Sequence, residues 1–242
     1  MTTSYADRAA LYAIEIAATP VPSSLPELLH PGVSVAEMPC GTGHFLPLYR
    51  AHHADCWLLD AEPAMLAEAE RRCAALGLPV RTSPVLIGRD RSPGHFDVVV
   101  CPNAALNYLA AQLGMAGVLR SLLRFTTTEG HLLVQAVLRH ADGRIDPTAC
   151  YDPQAPHDRW IPEWERPDGN GGTVTRSRWQ RRRGDRIIVT FARTHNGTEL
   201  PASTIELVVI DCAEIVRFTE VEGHRLADIG IRDGMTEVIL QR

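Results

Sequence analysis

The segment Val33-Ser-Val-Ala-Glu-Met-Pro-Cys-Gly-Thr-Gly-His-Phe45, taken with Trp57-Leu-Leu-Asp60, decides the fold. A short β-branched and apolar run stops at Glu37 and leads into two glycines one residue apart, Gly41 and Gly43. This is how a strand passes through a tight turn into a helix. Glycine permits the left-handed backbone and the close approach of a ligand, and the helix beyond presents unpaired N–H groups. Asp60 ends the next apolar run, seventeen residues past Gly43, where a carboxylate is placed to bind a ribose diol. Together these features describe a nucleoside site at the edge of a parallel sheet.

What the turn lacks narrows the nucleoside. A dinucleotide fingerprint needs a third small residue so that the helix can sit close under a pyrophosphate, and here His44, Phe45 and Leu46 follow Gly43. A P-loop needs a terminal Gly-Lys-Ser/Thr, and the chain has none. A nucleoside without a pyrophosphate remains. The residues Glu37-Met-Pro-Cys-Gly-Thr-Gly43 resemble motif I of the class I S-adenosylmethionine-dependent methyltransferases. In that family the acidic residue and the glycine turn lie along the methionine and ribose portions of S-adenosyl-L-methionine, so the resemblance implies that Asp60 holds the ribose hydroxyls.

Outward from this segment the pattern alternates. Residues 5–18 have helical spacing and end at Thr19-Pro-Val-Pro22. Strands are expected near 33–38, 55–59, 80–86, 96–101 and 130–138, with helices over 44–53, 62–76 and 110–124; Gly77 is placed to stop the second of these. The fold class is therefore α/β, a doubly wound and mostly parallel sheet. The resemblance implies a seven-stranded Rossmann-like methyltransferase sheet closed by a final antiparallel pair near 224–229 and 235–242. Residues 141–171 are irregular and rich in Pro, Asp, Gly and aromatic residues, as in a lid or binding loop. Residues 173–181, 186–193 and 203–210 read as three strands with Gly184-Asp185 and Asn196-Gly197 as turns, an inserted antiparallel β region. The expected organisation is a cofactor-binding part from 1–140 and 212–242 and an inserted substrate and lid region over 141–211.

The segment Val99-Val-Cys-Pro-Asn-Ala-Ala-Leu-Asn-Tyr-Leu109 resembles the family motif after strand four, which places Cys101 and Asn103 beside the reactive methyl. Tyr5-Ala-Asp-Arg-Ala-Ala-Leu-Tyr12 resembles the start of small-molecule methyltransferases, where an N-terminal helix closes over the cofactor. The cofactor residues implied are Tyr5, Tyr12, Glu37, Pro39, Cys40, Gly41, Gly43, Asp60, Ala61, Met65, Leu86, Cys101 and Asn103. A β-rich insertion before the last helix is typical of N-methyltransferases of nucleotide-linked amino sugars, which implies a small-molecule acceptor with nitrogen or oxygen as the target, and a place in natural-product or antibiotic biosynthesis. One departure stands out. Where many members carry an acidic residue that accepts from the adenine amine, this chain has Val85 and Leu86, with Asp90 as the nearest substitute. That departure motivates an alternative, a non-catalytic methyltransferase-like scaffold or binding protein.

Methyl transfer is an in-line displacement, so holding the nucleophile and excluding water are the protein's main tasks. Tyr12 is a candidate both for closing the pocket and for touching the acceptor, and His140, just past strand five, is the candidate base; the alternatives are helix packing and a structural histidine. His157 is a second histidine on the expected lid. Tyr151, Trp160 and Trp164 are candidates for stacking on the acceptor. The run Arg176-Ser-Arg-Trp-Gln-Arg-Arg-Arg183 either pairs with a phosphate or carboxylate or forms a solvated face.

At 242 residues, 45% hydrophobic and 22% charged, the chain suits a soluble globular protein with a core that needs no staples. Its net charge of −5 argues against nucleic acid as partner. Six scattered cysteines without C-x-x-C or Cys/His ligand spacing argue against a metal. No apolar run is long enough to span a membrane, and a cytoplasmic enzyme, compatible with a homodimer, is expected.

Overall fold

The computed structural model describes residues 5–16, 21–79, 81–148, 150–232 and 235–242, with the side chains of 5–8 and 10 outside the described set. In chain order the first half comprises α1 (Tyr5–Ile16), α2 (Leu25–Leu28), β1 (Ser34–Glu37), α3 (Leu46–Ala51), β2 (Asp55–Asp60), α4 (Pro63–Leu76), β3 (Thr82–Pro84), β4 (Phe96–Cys101), α5 (Ala105–Leu113), α6 (Met115–Leu123) and β5 (Thr126–Ala136). Then follow β6 (Leu138–Arg139), β7 (Trp160–Pro167), β8 (Thr173–Arg183), β9 (Arg186–His195), β10 (Thr198–Val208), β11 (Ile210–Asp211), α7 (Cys212–Glu222), β12 (Arg225–Arg232) and β13 (Met235–Gln241).

The main sheet has seven strands in the order β12-β13-β5-β4-β1-β2-β3, in which β13 alone runs against the others and pairs antiparallel with both β5 and β12. Val98, Val99, Val100 and Cys101 of β4 are all buried, as a strand covered on both faces requires. One face packs under α5, α6 and α7 through Leu106, Leu122 and Phe218, and the other under α3 and α4 through Leu46, Leu66 and Ala69. Because β1 lies between β2 and β4, successive connections leave it in opposite directions. That reversal opens a crevice at the strands' carboxyl ends, where ligands of such sheets collect.

Local details depart from the sequence reading for physical reasons. The expected helix over 110–124 is two helices, because Gly114 adopts φ 69° and ψ 151°, far from helical values. The chain after Gly43 continues in turns, so α3 starts only at Leu46. β3 is short, and β5 begins four residues before the expected start, at Thr126.

A second sheet, β10-β9-β8-β7, is antiparallel throughout. Its fourth strand, β7, falls where irregular chain was expected. Pro162 and Pro167 are tolerated because β7 is an edge strand, and the register shifts between Pro162 and Trp164. The inner face of this sheet packs Ile187, Val189, Phe191 and Leu207 against Ala104 and Val137. Asn107, fully buried on α5, fastens the two sheets. Its Nδ2 donates to Val137 O and Val208 O at 2.8 Å each, and its Oδ1 accepts from Val137 N at 2.8 Å. Among the described residues no helix is long and apolar enough to cross a membrane.

Candidate functional site

The crevice beside β1 holds a cavity of about 350 Å³, within the range of small-molecule sites. Its floor is the turn after β1. Gly41 has φ +51°, and a Cβ there would stand 2.8 Å from Tyr12 Cε1, so the glycine lets α1 lay an aromatic ring on the turn. Gly43 has φ +72°, and a Cβ there would stand 2.7 Å from Leu46 Cδ1. The two glycines thus serve different ends. Gly41 permits closure from above, and Gly43 seats the next helix.

Two carboxyl groups end the neighbouring strands. Asp60 is 6% exposed; its Oδ2 accepts from Gly41 N at 2.8 Å and its Oδ1 from Glu62 N at 2.9 Å. It clasps the β1 turn to the β2 turn, and each oxygen retains a lone pair for a further donor. Burial raises its pKa above the usual carboxylate value, opposed by those two N–H bonds. Glu37 is only 1% exposed, and burial pushes its pKa up to about 8, opposed by polar contact with the Tyr49 phenol and by the charge of Arg72. Glu37 Oε2 and Tyr49 Oη are nonetheless both buried without a well-formed hydrogen bond, as is Thr42 Oγ1. At neutral pH Glu37 is largely a neutral acid at the cavity wall.

The third wall follows β4. Asn103 and Ala104 have φ +54° and +57°, left-handed values that non-glycine residues adopt only when held. Gln135 of β5 holds them: its Oε1 accepts from Asn103 N and its backbone oxygen from Ala104 N, each at 3.1 Å. The fourth wall, Val85, Leu86 and Ile87, is apolar. Asp90 does not substitute for the missing acid, because its Oδ2 accepts from Leu86 N at 2.7 Å and clasps its own loop.

Of the residues expected at the cofactor, Tyr12, Glu37, Pro39, Cys40, Gly41, Asp60, Ala61, Met65, Leu86 and Asn103 line the cavity together. Gly43 and Cys101 do not line it; they shape the turn and the strand beneath. Tyr5 begins α1, but its side chain lies outside the described residues. His140 is not on the wall either. Its Nε2 meets Asp146 Oδ1 at 2.7 Å, and Asp146 Oδ2 in turn accepts from Thr236 Oγ1, which makes it one member of a structural network.

The aromatic residues expected to stack on an acceptor are also elsewhere. Tyr151 is fully buried beside His157, Trp160 is half exposed, and Trp164 lies under the Arg166 and Arg176 guanidiniums at 4.4 and 5.0 Å. What the sequence reading missed is most of the far wall: Glu15 and Ile16 of α1, Tyr108 and Gln112 of α5, and Cys150, Phe191, Ile205 and Leu207 from the inserted region, which Arg176, the first residue of the arginine run, joins there. The alternation of β9 and β10 was the available signal, since Phe191, Ile205 and Leu207 share one face with the buried Val189. Among the described residues no cluster of three or more His, Cys, Asp or Glu side chains is arranged to hold a metal ion.

Residues 35–130, which contain the glycine turn, Asp60 and β4, match the family model of a methyltransferase domain. No curated protein matches the chain in sequence. Among solved structures, an S-adenosylmethionine-dependent methyltransferase from Clostridium acetobutylicum superposes with a TM-score of 0.73 at 13% identity, over 98% of each chain. DesVI from Streptomyces venezuelae gives 0.67 at 18% identity over 99% of each. An amino pentose methyltransferase from Micromonospora echinaspora, solved with S-adenosylmethionine bound and involved in calicheamicin biosynthesis, gives 0.65 at 19% identity, over 99% of this chain and 92% of that one. These identities are low, so the superpositions speak to the fold, and the domain match speaks to the chemistry. Residues 35–130 thus carry a methyltransferase domain, set in a chain with the fold of the class I S-adenosylmethionine-dependent methyltransferases.

Proposed function

We propose that the protein transfers a methyl group to a nitrogen of a small-molecule acceptor bound between α1, α5 and the second sheet, with oxygen as the less favoured target, in a natural-product pathway. One observation carries this reading: a single cavity runs from the Gly41 and Asp60 edge to Phe191, Ile205 and Leu207 of the inserted sheet. Cofactor and acceptor would therefore share one enclosed space. The amino pentose acted on by the structural relative from Micromonospora echinaspora suits the same class of acceptor.

The wall fits S-adenosylmethionine. Asp60 keeps lone pairs for a ribose diol, Glu37 and the glycine turn border the methionine portion, and Val85, Leu86 and Ile87 offer an apolar face to the adenine. When bound, the cofactor supplies an electrophilic methyl group on a sulfonium. The chain's own part is positional: α1 lays Tyr12 over Gly41, and Asn103 and Ala104 hold the lip of β4 in a fixed, strained shape. Alignment and water exclusion of this kind supply several kcal/mol of the barrier. An amine acceptor fits because it needs only to lose a proton, and on the far wall Tyr108 and Gln112 are poor bases, Arg176 is a fixed cation and the Glu15 carboxylate is taken up by Arg176 and Arg193. Tyr12 is the residue we place nearest both cofactor and acceptor.

Calorimetric titration tests the cofactor half. The intact protein is expected to bind S-adenosylmethionine, and Asp60→Ala to bind roughly 30- to 1000-fold more weakly, about 2–4 kcal/mol for charge-assisted bonds. Transfer of labelled methyl to a panel of primary and secondary amines tests the other half; transfer to hydroxyl compounds alone would reverse the choice of acceptor atom.

A further inference from the structure

The arginine run of β8 divides by strand alternation. Arg181 and Arg183 lie on the odd-numbered, outward side of β8, whereas Arg176 and Arg178 share the inner face with the buried Val174 and Gln180. Arg176 stands directly across the ladder from Arg193 of β9, a like-charge pair that is unfavourable by itself. Glu15 of α1 lies between them: Oε2 accepts from Arg176 Nη1 at 3.2 Å and from Arg193 Nη2 at 3.0 Å, and Oε1 pairs with Arg193 Nε. Glu163 of β7 takes Arg176 Nε at 2.7 Å but approaches Arg178 Nε only to 3.5 Å, and that Nε is buried without a hydrogen bond.

The charges do not balance. Arg166, Arg176, Arg178 and Arg193 share two carboxylates, Glu15 and Glu163, while Arg166 is held by the carbonyls of Ile14 and Glu15 at 2.7 and 2.9 Å. Burial, and next the like charge of Arg176, hold Arg166 below the usual guanidinium range. An uncompensated positive charge in a poorly solvated cluster is costly, and an arriving anion relieves that cost. Arg176 alone among these arginines lines the cavity; its guanidinium lies over the Phe191 and Trp164 rings at 4.6 and 5.0 Å, and its Nη2 donates no hydrogen bond to a described residue.

From this geometry we propose that the acceptor carries an anionic group, a carboxylate or a phosphate, which docks on Arg176 at the inserted-sheet end of the cavity with Arg178 supplying the second positive charge behind it. The proposal rests on the reading of this cavity as the shared cofactor and acceptor site. It gives the acceptor three parts: a nucleophilic nitrogen toward the glycine turn, an apolar body against Phe191, Ile205 and Leu207, and an anion at Arg176. It also divides the arginine run, giving a ligand role to the inner pair and none to Arg183.

The test is calorimetric titration of the full-length protein saturated with S-adenosylhomocysteine, using benzoate and phenyl phosphate as probes and benzyl alcohol as the neutral control. At least one anion is expected to bind 10-fold or more tightly than the alcohol, and which of the two does so identifies the anion. Arg176→Gln should weaken it about 10-fold or more while S-adenosylhomocysteine affinity stays within about 3-fold, and Arg183→Gln should leave both unchanged. Glu163→Gln removes the competing carboxylate and should tighten the anion several-fold, an arm that stands even where Arg176→Gln fails to fold. Equal binding of alcohol and anions, no tightening in Glu163→Gln, or loss of the anion in Arg183→Gln rather than Arg176→Gln would overturn the proposal. A wild-type protein that does not bind S-adenosylhomocysteine would instead overturn the reading on which it rests.

Discussion

The two ends of the cavity are held by opposite means. At the β1–β2 edge, carboxyl groups are few and separate: Asp60 is satisfied by the backbone N–H groups of Gly41 and Glu62, and Glu37 is buried beside the Tyr49 phenol with its Oε2 unpaired. At the inserted sheet, charges are many, shared and mutually dependent, with Glu15 and Glu163 each serving two arginines. A site that binds one fixed cofactor can rely on backbone geometry, which changes little with side-chain substitution. A wall that selects an acceptor relies on side chains, where one substitution changes both charge and shape. The charged end also holds the lid, because Glu15 belongs to α1, whose Tyr12 covers the glycine turn.

The sharpest way to break the comparison is Glu15→Ala. It leaves Arg193, 5% exposed, and Arg176 facing one another without their shared carboxylate. Removing one partner from a buried pair costs about 3–5 kcal/mol. A chemical denaturation midpoint should fall accordingly, and because α1 then keeps, among the described residues, only the Arg166 bonds to its last carbonyls as hydrogen bonds to the second sheet, cofactor affinity should fall with it although Glu15 stands at the opposite end of the cavity. A stability loss with unchanged cofactor affinity would show that the two ends are independent.

How much of each end was legible in the sequence follows from the same contrast. Gly41, Gly43 and Asp60 declare themselves because a tight turn and a strand end are local, with function and conformation fixed within about twenty residues of chain. The main sheet was legible for the same reason, since each strand carries its own apolar run. The cluster at the other end pairs Glu15 with Arg193 across 178 positions, and no local pattern announces such a pair. Trp164 looked available for stacking until the structure placed arginines over its ring. β7 was hidden by Pro162 and Pro167, which an edge strand tolerates. His140 was read from its position after β5, and only Asp146 and Thr236, brought in from loop and last strand, show what engages it.

A smaller effect sharpens the isolated side of the comparison. Folded Glu37 keeps its proton up to about pH 8, whereas its ordinary value is 4.5. Between these values the folded chain binds more protons than the unfolded one, so a rise in pH favours unfolding. The contribution is fully present below about 4.5 and is lost by about 8, with a slope of up to about 1.4 kcal/mol per pH unit. Asp60, also raised by burial, acts in the same direction. Denaturation of the ligand-free protein from pH 5 to pH 8 should show this decline, and Glu37→Gln, which keeps the shape without the titration, should flatten it. An identical slope in the variant would mean that Glu37 is ionised in the fold and partnered better than its surroundings suggest.

The smallest expected effect tests whether the glycine turn serves the ligand or the lid. Gly41→Ala must hold alanine at φ +51°, at a cost of about 1–2 kcal/mol, and its Cβ would press on the Tyr12 ring at 2.8 Å. If Gly41 exists chiefly to admit α1, Tyr12→Ala in the same chain should recover the part of the lost S-adenosylmethionine affinity that the ring contact causes, leaving only the backbone cost. If it exists chiefly to admit the cofactor, the two losses should add, because the new methyl group would meet the ligand whether or not the ring is there. A double-mutant cycle read by calorimetry separates these cases by about a factor of five in the dissociation constant, roughly 1 kcal/mol. Recovery would join this turn to the Glu15 latch as one closing device spanning both ends of the cavity; additivity would leave the cofactor edge self-sufficient.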